Sequence, residues 1–258
     1  MKILVFGGNR FCGKLIVKQL HYAGHEVTVL NRSGDRYVDC EVIRGDRNEI
    51  TDKIKFEYYD AIIDMCLYNV EQAKRIQNMK TNQYIFMSSI ASKYEHFGDY
   101  GKDKNEVEEF LKKTNLPLVI LRPTYMLGID NPHDRETYYI DRILDKKQIQ
   151  VDGDGSSLLS FVFAEDVANL VCKIVNSTVT NEAYNINNGE FITLNQLVSL
   201  FFTELKKETR IIFGDKGDSP FVNETMVFSN EKIAKHFDYK FKSIQDGIEE
   251  FCNWYTFK

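Results

Sequence analysis

Tyr100-Gly101-Lys102-Asp103-Lys104 sets a phenol and an amine four residues apart. On an α-helix, positions i and i+4 share one face, so the two groups would stand side by side. A free phenol ionises at about pH 10, and a cation a few ångströms away stabilises the phenolate and lowers that value. Tyr100 then becomes an acid or base usable near neutral pH, with Lys104 as its partner. The spacing alone is common by chance, and a solvated helix face is its plainer explanation. Here it follows an apolar run, Tyr84–Met87, that ends in the hydroxyls of Ser88 and Ser89. Ser89 could orient a substrate oxygen toward Tyr100; helix capping or turn formation is the alternative for both serines.

A second constellation lies near the start of the chain. Gly7-Gly8-Asn9-Arg10-Phe11-Cys12-Gly13 joins the apolar run Ile3–Phe6 to the amphipathic stretch Phe11–Tyr22. Glycines at such a place let the backbone turn sharply and approach a pyrophosphate, which rests on the helix N-terminus. A glycine-rich loop is weak evidence by itself, and a plain tight turn is the alternative. Its position after a hydrophobic run, with Glu26–Leu30 following at the expected distance, makes a dinucleotide site the expectation. Gly7, Gly8, Asn9, Arg10, Phe11 and Gly13 would surround the cofactor.

Asn31-Arg32-Ser33 follows Glu26–Leu30. An NAD site usually carries Asp or Glu here, to accept hydrogen bonds from the ribose 2′-hydroxyl. Neutral Asn31 beside cationic Arg32, with Arg10 in reach, suits a 2′-phosphate better, so NADP is expected over NAD. Two solvated arginines are the competing explanation. Asp46 stands where such folds contact adenine, and it is equally placed to cap a short helix. Cys66, Leu67 and Tyr68 would line the ribose side, and Ser88 joins the cofactor contacts.

The elements that must position these groups alternate. Strands are expected at Ile3–Phe6, Glu26–Leu30, Glu41–Arg44, Ala61–Asp64, Tyr84–Met87 and Leu118–Leu121, with helices over Phe11–Tyr22, Val70–Met79 and about Tyr100 to Lys113. Continuous apolar strands separated by helices predict an α/β fold, a Rossmann-type doubly wound parallel sheet covered on both faces. Beyond residue 122 the rhythm loosens. Helices are expected at 134–146, 165–176, 193–207 and 243–254, and strands at 148–151, 183–187 and 210–213. A dinucleotide-binding domain would take residues 1–125 with returning segments near 161–187, and the rest of 126–258 a small C-terminal α/β substrate lobe.

Composition excludes several classes. The 258 residues are 43% hydrophobic and 28% charged, ordinary for a globular protein. No run approaches the ~18 apolar residues of a membrane span, and Met1-Lys2 leads into too few apolar residues for a signal peptide. A cytoplasmic location is therefore expected. The net charge of −5 and the absence of a basic stripe argue against nucleic acid. Five scattered cysteines form no C-x-x-C pair, and the five histidines no metal-spaced cluster, so no metal is expected. Asp152-Gly153-Asp154-Gly155 lacks the distal Glu of a calcium loop and is expected to be a tight turn.

Leu121-Arg122-Pro123-Thr124-Tyr125-Met126-Leu127-Gly128, Phe161-Val162-Phe163-Ala164-Glu165-Asp166-Val167-Ala168, Ala183-Tyr184-Asn185-Ile186 and the closing Trp254 helix occur in order along the chain. With the loop and the Tyr-Lys pair, they resemble the extended and atypical short-chain dehydrogenase/reductases, the NAD-dependent epimerase/dehydratase group. The loop with Arg10 at its middle position is similar to the subgroup containing the chloroplast stem-loop-binding proteins. The resemblance implies backbone at Pro123 meeting the nicotinamide amide, and Tyr125 and Met126 lining a substrate. It implies hydride exchange with a carbonyl or secondary alcohol by Tyr100, Lys104 and Ser89, on a small molecule that could be a sugar or sugar nucleotide. A homodimer through a two-helix face that includes the Tyr100 helix is a further implication. Ile90 and Ala91 stand where family dehydratases carry Asp-Glu, so dehydration is not expected. Leu159 stands where the family's sugar-nucleotide epimerases often carry a diphosphate-gripping arginine, which argues against a nucleotide-sugar substrate, and the substrate lobe is short. A sensor or RNA-binding scaffold that binds NADP without catalysis is the alternative function.

Overall fold

β-Branched and aromatic residues fill the segments of the central sheet: KILVF, EVTVLN, YYDAIID and LVILRP are buried along most of their length. Strands apolar at consecutive positions have both faces covered, as parallel sheets do. The computed structural model describes residues 1–50, 52–214, 219–221 and 224–257. In chain order the elements begin β1 (Lys2–Phe6), α1 (Phe11–Tyr22), β2 (Glu26–Asn31), β3 (Glu41–Arg44), α2 (Asp52–Phe56), β4 (Tyr58–Asp64), α3 (Val70–Ile76), β5 (Lys80–Met87), α4 (Gly98–Leu111) and β6 (Leu118–Pro123). They continue with β7 (Tyr125–Leu127), α5 (Arg135–Leu144), β8 (Ile149–Asp152), β9 (Leu158–Phe163), α6 (Ala164–Val175), β10 (Glu182–Ile186), β11 (Phe191–Thr193), α7 (Leu194–Leu205), β12 (Ile211–Gly214), α8 (Glu231–Phe237) and α9 (Ile244–Thr256).

Two compact units form. The first comprises residues 1–124, 164–186 and 232–239. Its seven strands lie in the order β10-β6-β5-β4-β1-β2-β3, every neighbouring pair parallel. The order reverses between β1 and β4, the switch point at which doubly wound sheets bind ligands beyond their carboxyl ends. The expected Rossmann-type architecture is the one observed. β4 and β5 start at Tyr58 and Lys80, earlier than expected, because backbone pairing Tyr58↔Lys80 and Ala61↔Gln83 continues through polar side chains. α3 stops at Ile76, short of Met79, and α4 runs two residues earlier than its charged pattern suggested.

The second unit comprises residues 125–163, 187–231 and 240–258. A small sheet of order β11-β9-β7 and a parallel pair of β8 and β12 pack with α5, α7 and α9. Its core is aromatic: Tyr139 stacks on Phe201 at 5.3 Å and on Phe221 at 6.1 Å between ring centroids. The expected turn follows directly on Asp152, the last residue of β8, with Gly153 and Gly155 at φ +64° and +70°.

α4 lies hard against the 3-10 turn Ile90–Lys93. A Cβ added to Gly101 would sit 2.5 Å from the Ala91 carbonyl oxygen, a backbone atom that cannot swing aside. Alanine is favoured over glycine in a helix by up to about 1 kcal/mol, but overpacking a close contact costs about 1–3 kcal/mol. Gly101→Ala is therefore expected to destabilise the protein by about 1–2 kcal/mol, seen as a lower urea midpoint; a midpoint at or above that of the parent would refute this packing.

Candidate active site

The glycine-rich loop leaves β1 with Gly7 at φ +83°, a conformation that a Cβ would strain. A Cβ on Gly13 would fall on the Gly7 carbonyl oxygen, so the loop closes onto α1 only with glycine there. Gly8 is buried against Val17. Arg10 is the extended N-cap residue of α1 and makes no side-chain cap, and the first turn holds no acidic residue. The helix N-terminus thus presents backbone N–H groups and its positive dipole end to an anion. These residues fit a dinucleotide pyrophosphate. Phe11 is buried at φ +42°. Asn9 Nδ2 donates to Ser33 Oγ at 2.9 Å, tying the loop to the end of β2.

Asn31 is buried and organises its own turn. Its Oδ1 accepts from the Gly34 N–H at 2.6 Å and from Ser33 Oγ at 3.2 Å, and its Nδ2 donates to the Asp35 carbonyl. Arg10 and Arg32 are both exposed. Asp46 accepts from the Asn48 N–H at 2.7 Å, capping the 3-10 turn Arg47–Glu49. Cys66 lies beside Gly7, its Sγ 3.3 Å from where a Gly7 Cβ would be.

Lys104 projects from α4 and is only 3% exposed. Its Nζ donates to the Leu67 carbonyl at 2.9 Å and to the Met87 carbonyl at 3.0 Å, which lie beyond β4 and at the end of β5. The rings of Phe86 and Tyr68 face the amine at 5.0 and 5.1 Å. Burial pulls the amine down to about 8, against the upward pull of Asp64 and Cys66. Tyr100, one helical turn earlier, is half exposed. The Tyr68 phenol is held above its usual range by burial first, then by Cys66 and by Tyr100. Ser89 caps the turn Ile90–Lys93, its Oγ accepting from the Ala91 N–H at 3.2 Å. Ser88 is buried and its hydroxyl donates to Glu108 Oε1 at 2.6 Å. Pro123 ends β6, paired with Ile186 of β10.

Sequence reasoning missed Glu108. This fully buried carboxylate accepts from Ser88, from Ser92 at 3.0 Å, and from Arg122 through Nε at 2.8 Å and Nη2 at 2.6 Å, with Lys93 at 3.2 Å. Burial alone would push it up; the hydrogen bonds from Arg122 and Ser88 and the charges of Arg122 and Lys93 outweigh that and hold it at about 2. Its signal was present: Glu108 follows Lys104 at the same four-residue spacing as Lys104 follows Tyr100.

In the second unit, Tyr125 packs edge-on to Phe221 at 5.0 Å, under the Arg135 guanidinium at 5.0 Å. The Met126 carbonyl accepts from Asn131 Nδ2 and from Arg135 Nη1. Beside them Glu136 is buried, accepting from the Gly128 N–H and from Asn131 Nδ2, and burial raises it to about 7. Nothing in the sequence marked it out. Among the described residues, no cluster of His, Cys, Asp and Glu is arranged to hold a metal, and no helix is long and apolar enough to cross a membrane.

Residues 90–187 match the model of the NAD dependent epimerase/dehydratase family. That span contains Tyr100, Lys104, Glu108 and Arg122, and bears out the family resemblance read from the sequence. The glycine-rich loop lies outside it. Over 91% of its length the chain is 24% identical to the chloroplast stem-loop binding protein of 41 kDa b from Arabidopsis thaliana, covering 73% of that protein. The fold is that of sugar-nucleotide epimerases. It aligns at TM-score 0.83 and 17% identity with UDP-N-acetylglucosamine 4-epimerase from Methanobrevibacter ruminantium M1 in complex with UDP-N-acetylmuramic acid, over 99% of this chain and 98% of that one. It aligns at TM-score 0.81 and 19% identity with UDP-glucuronic acid 4-epimerase from Bacillus cereus in complex with UDP-glucuronic acid and NAD, over 99% of each.

Glu108 ties β5, β6 and α4 together, and its removal would strand Arg122. Glu108→Gln is expected to cost about 3 kcal/mol at neutral pH, since breaking a buried pair leaves a charge uncompensated. Its folded value lies below the unfolded one of 4.5, so its contribution is complete above that pH and is lost as pH falls toward about 2. Urea unfolding at several pH values checks this: the parent should lose stability between about pH 5 and pH 2 more steeply than the variant.

Proposed function

We propose that the chain is an NAD(P)-dependent oxidoreductase or epimerase of the short-chain-dehydrogenase type, exchanging hydride with a carbonyl or secondary alcohol of a sugar or sugar nucleotide. The observation that carries this reading is Lys104, a buried amine fixed at the carboxyl ends of β4 and β5, one helical turn from Tyr100. A nicotinamide, when bound, supplies or takes up the hydride. In the reductive direction, Tyr100 gives its phenolic proton to the substrate oxygen. Lys104 stabilises the phenolate left behind. Two of the three N–H donors of its ammonium are committed to carbonyls, which leaves one for a ribose hydroxyl or for the phenol. Ser89 Oγ accepts from the Ala91 N–H and keeps its own proton for the substrate oxygen.

The loop Gly7–Gly13 and the start of α1 would hold the pyrophosphate, Asp46 the adenine side, and Cys66, Leu67, Tyr68, Ser88 and Pro123 the ribose and nicotinamide side. NADP is the cofactor favoured here. β2 ends without an acidic residue, the amide oxygen of Asn31 is spent on its own turn, and Arg10 and Arg32 are exposed cations for a 2′-phosphate. Tyr125 and Met126 are the proposed substrate-lining residues. The sugar-nucleotide complexes of similar fold support that substrate class. Ile90 and Ala91 leave dehydration without its acid pair.

The likeness to a stem-loop binding protein favours one other reading, a nucleotide-fold scaffold that binds RNA. The net charge of −5 opposes it, because phosphate contacts supply most non-specific affinity for nucleic acid.

NADPH is expected to bind about tenfold more tightly than NADH, and Arg32→Ala to erase most of that difference, since a lost charged contact is worth about 1.5–3 kcal/mol. Fluorescence titration measures both. Against a panel of sugar nucleotides and simple carbonyls, Tyr100→Phe should lower turnover by about 10²–10⁴-fold with cofactor affinity kept. Undiminished turnover in that variant, or tight stem-loop RNA binding without turnover in the parent, would remove the enzymatic reading.

A further inference from the structure

Beneath the carboxyl end of β4 lies a second buried charge cluster that the acid-base reading does not use. Asp64, the last residue of β4, is fully buried. Its carboxylate receives hydrogen bonds from Arg47 Nη1 at 2.6 Å and Nη2 at 2.8 Å, from the Tyr84 hydroxyl at 2.6 Å and from the Cys66 N–H at 3.1 Å. Those four donors fill the lone-pair sites that two carboxylate oxygens offer. Arg47 is 6% exposed, its guanidinium 5.2 Å from the centre of the Phe6 ring, and its Nε is buried without a hydrogen-bond partner. Buried ion pairs are often no more stabilising than apolar side chains of the same volume, so stability alone does not explain this one.

The geometry does offer a use. Asp64 fixes the N–H of Cys66, and the carbonyl of the next residue, Leu67, is one of the two that hold Lys104. We infer that Arg47 and Asp64 are positioning residues for Lys104: Asp64 anchors the Cys66–Leu67 segment that grips the amine, and the opposite charges of the pair balance one another beside it. This deepens the acid-base role proposed for Lys104 and rests on that reading for its meaning in catalysis.

The two members of the pair act on the amine with opposite signs. Burial disfavours the ammonium, Asp64 and Cys66 favour it, Arg47 disfavours it and Glu108 of α4 favours it, while Tyr68 faces it through its ring. Removing Asp64 leaves the Arg47 cation unopposed, and removing Arg47 leaves the Asp64 anion unopposed. A merely structural role would show another pattern, because either removal would let water in and return the amine toward the ordinary lysine value.

Protein labelled with ¹³C-lysine lets the Lys104 ε-carbon be titrated by NMR without any substrate, its resonance identified by loss in Lys104→Arg. Asp64→Asn should lower the Lys104 midpoint and Arg47→Met should raise it, each by about one pH unit. Midpoints that stay put, or that move the same way in two folded variants, would overturn the inference. Should either single variant not fold, the apolar double variant Arg47→Met, Asp64→Leu decides. It removes both charges, and because the pull of Asp64 is the larger, the midpoint should fall; an unchanged or raised midpoint counts against the inference. Failure of the catalytic reading would appear separately, as undiminished turnover in Tyr100→Phe.

Discussion

The ammonium of Lys104 spans two strand ends, and the order of the surrounding backbone follows from satisfying it. A cation removed from water needs hydrogen bonds wherever it comes to rest. Here the donors go to one carbonyl at the end of β5 and one just past β4. For the amine to reach them, α4 must run close over these strands. Close passage brings the helix backbone against the turn Ile90–Lys93, where residue 101 has no room for a side chain. The same passage buries Glu108 one turn further on, and Glu108 is then satisfied by Ser88 just before the turn Ile90–Lys93, by Ser92 within it and by Arg122 of β6. One bridging cation thus relates the spacing of a helix to the chemistry of three strand ends.

The sheet makes this arrangement economical in chain. In the order β6-β5-β4-β1-β2-β3 all carboxyl ends emerge on one edge, so the loops after β1, β2, β3, β4 and β5 are neighbours despite their separation in sequence. The glycine loop, the Asn31 turn, the Asp46 cap and the Cys66–Tyr68 segment are four of these loops. Each is held by a short-range device of its own: a positive φ, a side-chain amide closing a turn, a capped 3-10 turn, an N–H bonded to a carboxylate two residues back.

Much of this was legible in the sequence. α1 and β3 have the bounds their patterns predict, because an apolar helix stripe and a β-branched run are local signals. The turns that carry the candidate positions were legible for the same reason, since glycine and asparagine mark turns by their own conformational preferences. The buried charges were not. Glu108 sits in a helix rich in Lys, Asp and Glu, where spacing suggests solvated pairs, and its partner Arg122 lies fourteen residues on. Arg47 and Asp64 are seventeen residues apart, and burial of either makes sense only once the other is in place. In the second unit, β7 and β11 are three residues long, too short for any period to show, so that β9, their common neighbour, read as a motif and not as a strand.

Glu136 behaves in the opposite sense to Glu108, and the two units inherit that difference. Glu136 is held near 7 by burial, above its ordinary 4.5, so the folded second unit keeps a proton that its unfolded chain would release. Its contribution is intact below about pH 4.5 and declines as pH rises through about 7. The first unit holds the full contribution of Glu108 above about pH 4.5 and loses it as pH falls toward about 2. Acidification from about pH 7 to about 4.5 therefore relieves the second unit, and only further acidification toward about 2 loosens the first.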